Sequence, residues 1–257
     1  MTIKETINRL EITPLQLIIL LTLMQVFITL LTNGFALSPD EAMWHYIGRN
    51  WFRHGLVPYA GGVDNKSPLI FAVFGLSDKL FGVNYWFPRL FGAFCQSVGI
   101  YYIYKVAKHI SGKHAGMLAL SFYGLAVMWH GADGRYVSYT ETYEAMFIIM
   151  AFYFFLTAQN NKGYFISGFI AAIGLGFRLS AFFGIIVLII VSFRKGWRYS
   201  VVFCSGILAG VAFLGGIGFL AGIDLHNVYL YALADNFGAG STTDLNHKTL
   251  HSSRIPA

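Results

Sequence analysis

The sequence predicts an all-α polytopic membrane protein with about seven transmembrane helices and an outer first loop carrying two amphipathic surface helices. Three observations lead there. Hydrophobic residues make up 56% and charged residues 12% of the 257 positions, and the mean hydropathy is +0.59, far from the averages of soluble domains. Uncharged runs of roughly 15 to 25 residues recur along the chain. Basic residues gather in short turns between alternate runs, while the acids gather in the other connections.

The first run, 15–32, follows Lys4 and Arg9. It is longer than a signal-peptide core and no small-x-small cleavage site follows it, so it reads as a retained first span. The loop that comes next is rich in acids, bases, aromatics and prolines. Within it, Ala42, Met43, Tyr46, Ile47 and Trp51 recur at the spacing of a helix with one apolar-aromatic face. Ser38 would cap that helix and Pro39 would occupy its first turn. Segment 40–54 is too polar to span and is expected to lie on the membrane surface. A second short amphipathic helix is predicted over 68–81, ended by Gly82, with Asp78 and Lys79 arguing against a span.

The remaining spans are read at 85–104, 115–129, 145–158, 163–177, 181–193 and 200–221. Several are short for a bilayer core of about 30 Å, so they must extend past charged residues or meet a thinned membrane. Region 163–193 reads either as two spans or as one long tilted helix carrying Arg178. Gly168, Ala172 and Gly176, like Gly206 and Gly210, recur every fourth position and would let helices approach closely.

With the N-terminus inside, the inner turns hold Lys105, Lys108 and Lys113, then Lys162, then Arg194, Lys195 and Arg198. Every acid after Glu11 then lies outside: Asp40, Glu41, Asp64, Asp78, Asp133, Glu141, Glu144, Asp224, Asp235 and Asp244. A single helix through Arg178 would break this pattern by carrying the Arg194 cluster outside. The basic residues behind the net charge of +6 are scattered between the apolar runs instead of lying on one face, which suits anionic membrane lipid rather than nucleic acid. Cys95 and Cys204 fall within apolar runs, where thiols behave as small hydrophobes, and no disulfide is expected. Residues 1–221 thus form a transmembrane module with outer loop 38–84. Residues 222–257 form an outward polar tail, expected to begin a truncated or partner-completed region.

Asp40 and Glu41 are the strongest candidate catalytic pair. At the membrane face, partial desolvation would raise carboxylate basicity and suit a general base. Acids in the first turn after Ser-Pro also favour the helix dipole, and the two roles are compatible. Lys66, at the start of the second surface helix, could hold a phosphate together with free backbone N–H groups, or a lipid headgroup. Arg89 near the start of a span and Arg178 between two spans point to a bound anion or a paired acid, with snorkelling as the alternative. Arg135, Glu141 and Glu144 share the second outer loop. The two glutamates fall on one helix face, so one should point at whatever Arg135 or the first loop holds, or form a structural ion pair. Glu41 and His45, and likewise His247 and His251, stand four apart, the spacing of two metal ligands on one helix face. Neither pair has a third ligand in register, and no metal site is assigned.

In order along the chain stand Pro39-Asp40-Glu41-Ala42, Gly55-Leu56-Val57-Pro58-Tyr59, Asp64-Asn65-Lys66-Ser67-Pro68, Leu80-Phe81-Gly82, Pro88-Arg89-Leu90, Tyr139-Thr140-Glu141 and Gly174-Leu175-Gly176-Phe177-Arg178. This ordered set resembles the GT-C superfamily of membrane glycosyltransferases, in particular bacterial relatives of protein O-mannosyltransferases and of the aminoarabinose transferase that modifies lipid A. The resemblance implies inverting transfer of a sugar from a polyprenyl-phosphate donor to a lipid, glycan or protein acceptor, with the active loop on the outer side of the cytoplasmic (inner) membrane. It implies Asp40 as the base, with Glu41 beside it, and Lys66, then Arg178 and Arg89, stabilising the departing lipid phosphate. Tyr59, Arg135 and Glu141 complete the substrate-binding set. Glu141 stands where relatives more often have Asp, and Lys-Ser-Pro replaces Lys-Pro-Pro. No firm cofactor is implied and a divalent metal is left open. Relatives usually continue with further spans, so a second membrane chain is one expectation. The competing one is a catalytically silent subunit that binds lipid-linked sugar or scaffolds a partner. A small transporter is disfavoured, because the ionisable residues cluster outside and the chain shows no two related halves.

Overall fold

The computed structural model describes residues 12–131 and 135–237, and it is helical throughout, with no strand among the described residues. Helix α1 (Pro14–Thr32) opens with a capping box. Thr13 Oγ1 accepts from the Gln16 N–H at 3.2 Å, and the Gln16 side chain accepts from the Thr13 N–H at 2.8 Å. Helix α2 (Pro39–His54) uses the same device through Ser38 and Glu41, and closes on Gly55 at φ 70°, a left-handed stop suited to glycine. Helix α3 (Pro68–Phe81) ends at Gly82.

Next comes α4 (Trp86–Gly131), broken at Ser111 and Gly112, where Gly112 takes φ 83°. Gly99 abuts Tyr123 and Gly116 abuts Tyr104, so the chain reverses there and the two halves pack antiparallel. After a short 3-10 turn (Arg135–Ser138) follow α5 (Thr140–Thr157), α6 (Asn161–Leu175), α7 (Ala181–Lys195) and α8 (Trp197–Leu220). A π-helical turn (Val228–Ala234) ends the described chain together with a 3-10 turn (Asp235–Phe237).

By length and composition α1 and α8 are long and apolar enough to cross a membrane. At 24 residues, α8 is about 36 Å long. The two halves of α4 and helices α5 to α7 stand at the other positions read as spans. Of the two readings of 163–193, the structure has two helices, with Arg178 in the turn between them. Pairing of α6 with α8 runs through small residues: the backbone of each helix leaves no room for a Cβ on Gly168 or Gly206, and Gly210 rests on Ala172.

Helices α2 and α3 form a hairpin whose backbones meet at Gly48 and Gly75. A Cβ on Gly48 would lie 2.5 Å from the Gly75 nitrogen. This crossing corrects the face expected of α2. Glu41, Trp44, His45, Ile47 and Gly48 turn inward, whereas Met43 and Tyr46 are exposed. Packing against α3 decides the orientation, because the smallest residue on α2 permits the closest approach.

Candidate functional site

The site is assembled where the α6–α7 turn meets the start of α3. The last carbonyls of α6 have no partner within the helix. Ser67 Oγ donates to Leu175 O at 3.0 Å, and the Leu69 N–H donates to Gly176 O at 3.2 Å. These bonds set Lys66, just before α3, beside Arg178, just before α7. Asn65, Lys66, Ser67, Arg178, Leu179, Ser180, Phe182, Phe183 and Asn236 line the resulting cavity of about 310 Å³. Its polar part carries two cations and its apolar part is formed by the first turn of α7, where Phe183 is 72% exposed.

The ammonium of Lys66 donates to Asn65 Oδ1. Tyr59, expected among the substrate-binding residues, is buried, with φ 70°, and its hydroxyl donates to Lys66 O at 2.6 Å. Burial, then the charge of Asp64, pushes the Tyr59 pKa up, so the phenol remains a donor. Tyr59 therefore supports the Lys66 backbone from behind rather than lining the cavity.

Arg178 pairs with Glu141 through Nη1, which also reaches Thr140 Oγ1 at 3.4 Å, and its Nε lies 4.0 Å from Glu144 Oε2. Ser180 Oγ donates to Glu144 Oε2 at 2.7 Å. Both glutamates expected on one face of α5 thus serve the α6–α7 turn. Among the described residues Arg178 Nη2 has no hydrogen-bond partner, which leaves the guanidinium donors for an anion. The side chain of Arg135 lies outside the described residues, as do Asp133, His247 and His251.

Glu41 and Arg89 face each other instead of the cavity. Both side chains are 0% exposed and are joined by Arg89 Nε to Glu41 Oε1 at 3.0 Å and Nη2 to Oε2 at 2.9 Å. The guanidinium also donates to the carbonyls of Thr32, Asn33, Phe35 and Ala36 at 3.4, 3.2, 3.0 and 3.3 Å, at the end of α1. Glu41 further accepts from the Ser38 N–H at 3.0 Å and from Ser138 Oγ at 2.6 Å. Every strong donor and acceptor of the pair is committed to structure, which is how a buried charge pair avoids stranding charge. Neither group remains for a substrate. They fix instead the first turn of α2, where Asp40 stays exposed.

One turn on from Asp40, Trp44 is 1% exposed and its indole donates to Asp64 Oδ2 at 2.7 Å. Its ring meets that of Tyr139 edge-on at 5.4 Å. Trp44 therefore ties the helix of Asp40 to the Asp64–Lys66 loop and to the start of α5. Sequence reasoning missed this residue, although an aromatic four positions after the candidate base was the available signal.

His45 turns toward Asp78, with Nε2 3.8 Å from Oδ1, and not toward Glu41. No group of three or more metal-ligating side chains comes together among the described residues.

Comparison with curated proteins and with solved structures gives no match. The family model described as dolichyl-phosphate-mannose-protein mannosyltransferase matches residues 65–221, more than half of the chain. Lys66, Arg89, Glu141 and Arg178 lie inside that range; Asp40, Glu41, Tyr59 and Asn236 lie outside it. On this match, and with apolar helices to suit a membrane, the chain belongs to the dolichyl-phosphate-mannose-protein mannosyltransferase family, glycosyltransferases of the GT-C type.

Proposed function

We propose that this chain transfers a sugar from a polyprenyl-phosphate donor to an acceptor hydroxyl at the outer face of the cytoplasmic membrane, which it crosses about seven times. The acceptor is a lipid, glycan or protein. The observation that carries the reading is the cavity shared by Lys66 and Arg178, two cations from separate elements above an apolar wall. Such a wall suits the first isoprene units of the donor, and the cations suit its phosphate.

Asp40 takes the proton of the acceptor hydroxyl as its oxygen attacks the anomeric carbon from the side opposite the phosphate. The carbon–oxygen bond to phosphate breaks, and its electron pair leaves on the lipid phosphate. Configuration at the anomeric carbon inverts. Lys66 and Arg178 oppose the charge that accumulates on the leaving oxygen, where fixed cations act most strongly on the transition state. Glu141 and Glu144 hold the Arg178 side chain at the cavity, and the Glu41–Arg89 pair holds the turn that presents Asp40. The test is transfer of labelled sugar from polyprenyl-phosphate donors by the purified chain in lipid, with Asp40→Asn as the comparison. Donor binding without turnover from the wild-type chain would make it a binding subunit instead.

A further inference from the structure

The segment after α8 contributes to the cavity although it lies beyond the family match. Gly222, at φ 82°, turns the chain after α8, and Ile223 is 3% exposed. Tyr231 and Ala232 of the π-helical turn join the core formed by Trp44, Tyr59, Ile70 and Phe71. The Tyr231 ring stacks on that of Tyr59, with centroids 5.7 Å apart and planes at 12°. This segment is therefore anchored in the same core as the Lys66 loop.

The two carbonyls that bracket Lys66 are each held by a distant side chain. Tyr59 Oη donates to Lys66 O at 2.6 Å, and Asn236 Nδ2 donates to Asn65 O at 2.9 Å. Asn236 Nδ2 also donates to Ala232 O at 2.9 Å, so both amide hydrogens are spent on carbonyls. A reversed amide would set its oxygen against two carbonyl oxygens, so this orientation is required. With both flanking peptides fixed, the Cα–Cβ direction of Lys66 is fixed as well.

We infer that Asn236, with Tyr231 behind Tyr59, is a positioning residue that aims the Lys66 ammonium into the donor-phosphate cavity. The inference rests on the proposed reading of that cavity. Asn236 supplies no ligand of its own to an anion, because its donors are used and its remaining atom is an acceptor. Its effect on donor binding must pass through Lys66.

The test is binding of a polyprenyl phosphate to the full chain in lipid nanodiscs, for wild type, Asn236→Leu, Tyr231→Leu, Lys66→Ala and the Asn236→Leu/Lys66→Ala double variant. Asn236→Leu keeps the size and removes both donors without bringing a charge into the cavity. It is expected to weaken binding about fivefold, and by less than about 1.5-fold when Lys66 is already alanine. Tyr231→Leu is expected to weaken binding in the same Lys66-dependent way. Equal losses with and without Lys66, or no loss from Asn236→Leu while Lys66→Ala weakens binding, would overturn the inference and leave the cavity reading standing. Failure of the wild-type chain to bind the lipid would overturn both.

Discussion

Arg89 Nε and Nη2 grip the two oxygens of Glu41 at 3.0 and 2.9 Å across 48 positions of sequence, with neither side chain reaching solvent. The carboxylate that neighbours the candidate base is thus committed to the fold, while Asp40 is not. Removing one partner strands a buried charge, which costs about 3–5 kcal/mol. Glu41→Gln and Arg89→Met are expected to lower the midpoint of unfolding in detergent, and Asp40→Asn, which loses only an exposed first-turn charge, to shift it far less. Thermal unfolding monitored by intrinsic fluorescence distinguishes the two classes.

The Gly48–Gly75 crossing makes a second prediction. A Cβ on Gly75 would lie 2.5 Å from Gly48 O, a backbone atom that cannot swing aside. Gly75→Ala is expected to destabilise the α2–α3 hairpin by about 1–3 kcal/mol. Gly34→Ala, where no atom of the described residues lies within 4 Å of the added Cβ, provides the control. Limited proteolysis within the 55–66 loop reports the difference.

Much of this fold is legible along the chain because punctuation is local. Ser38-Pro39, Pro68 and Gly82 mark the ends of α2 and α3, and Gly168 and Gly206 mark the α6–α8 seam. The inward face of α2 is not legible, because Met43 and Tyr46 fit an apolar face as well as Trp44 and Ile47 do, and only the crossing at Gly48 decides between them. Arg89 shows the same limit: as a lone cation near the start of a span it is equally suited to a phosphate or an acid, and its partner lies in another element. Asn236 and the π-helical turn leave no periodic trace at all. Lys66 and Arg178 could be named from residue type and position, but their shared cavity depends on the docking of Ser67 and Leu69 onto the end of α6.

His45 gives a pH dependence. Burial lowers its pKa from the ordinary 6.5, Asp78 pulls it back up, and Arg49 pushes it down further. Arg53 also faces Asp78, through its Nε and Nη2. With the folded pKa below the unfolded one, the unfolded chain takes the proton first as pH falls through about 6.5. Stability is therefore full above that value and declines below it, until the folded imidazole also titrates. His45→Gln is expected to flatten the part of the unfolding midpoint's decline between about pH 7.5 and pH 5.5 that this group causes. Matched thermal scans of the two proteins measure it.

At the cavity, Lys66→Ala is expected to weaken polyprenyl-phosphate binding by about tenfold or more, the scale of a lost charge-assisted hydrogen bond. Arg178→Lys keeps the charge but loses the planar fork that Glu141 and Glu144 hold, so it is expected to bind donor less well than wild type and better than Arg178→Ala. Titration of the lipid into nanodisc-embedded variants gives the order.

The most direct measurement is single-turnover transfer of labelled sugar from a polyprenyl-phosphate donor by the purified chain in lipid, wild type against Asp40→Asn. Turnover by wild type, a loss of at least about 100-fold in the variant and unchanged donor binding are expected. Undiminished transfer by Asp40→Asn, or loss of donor binding along with turnover, would contradict Asp40 as the base.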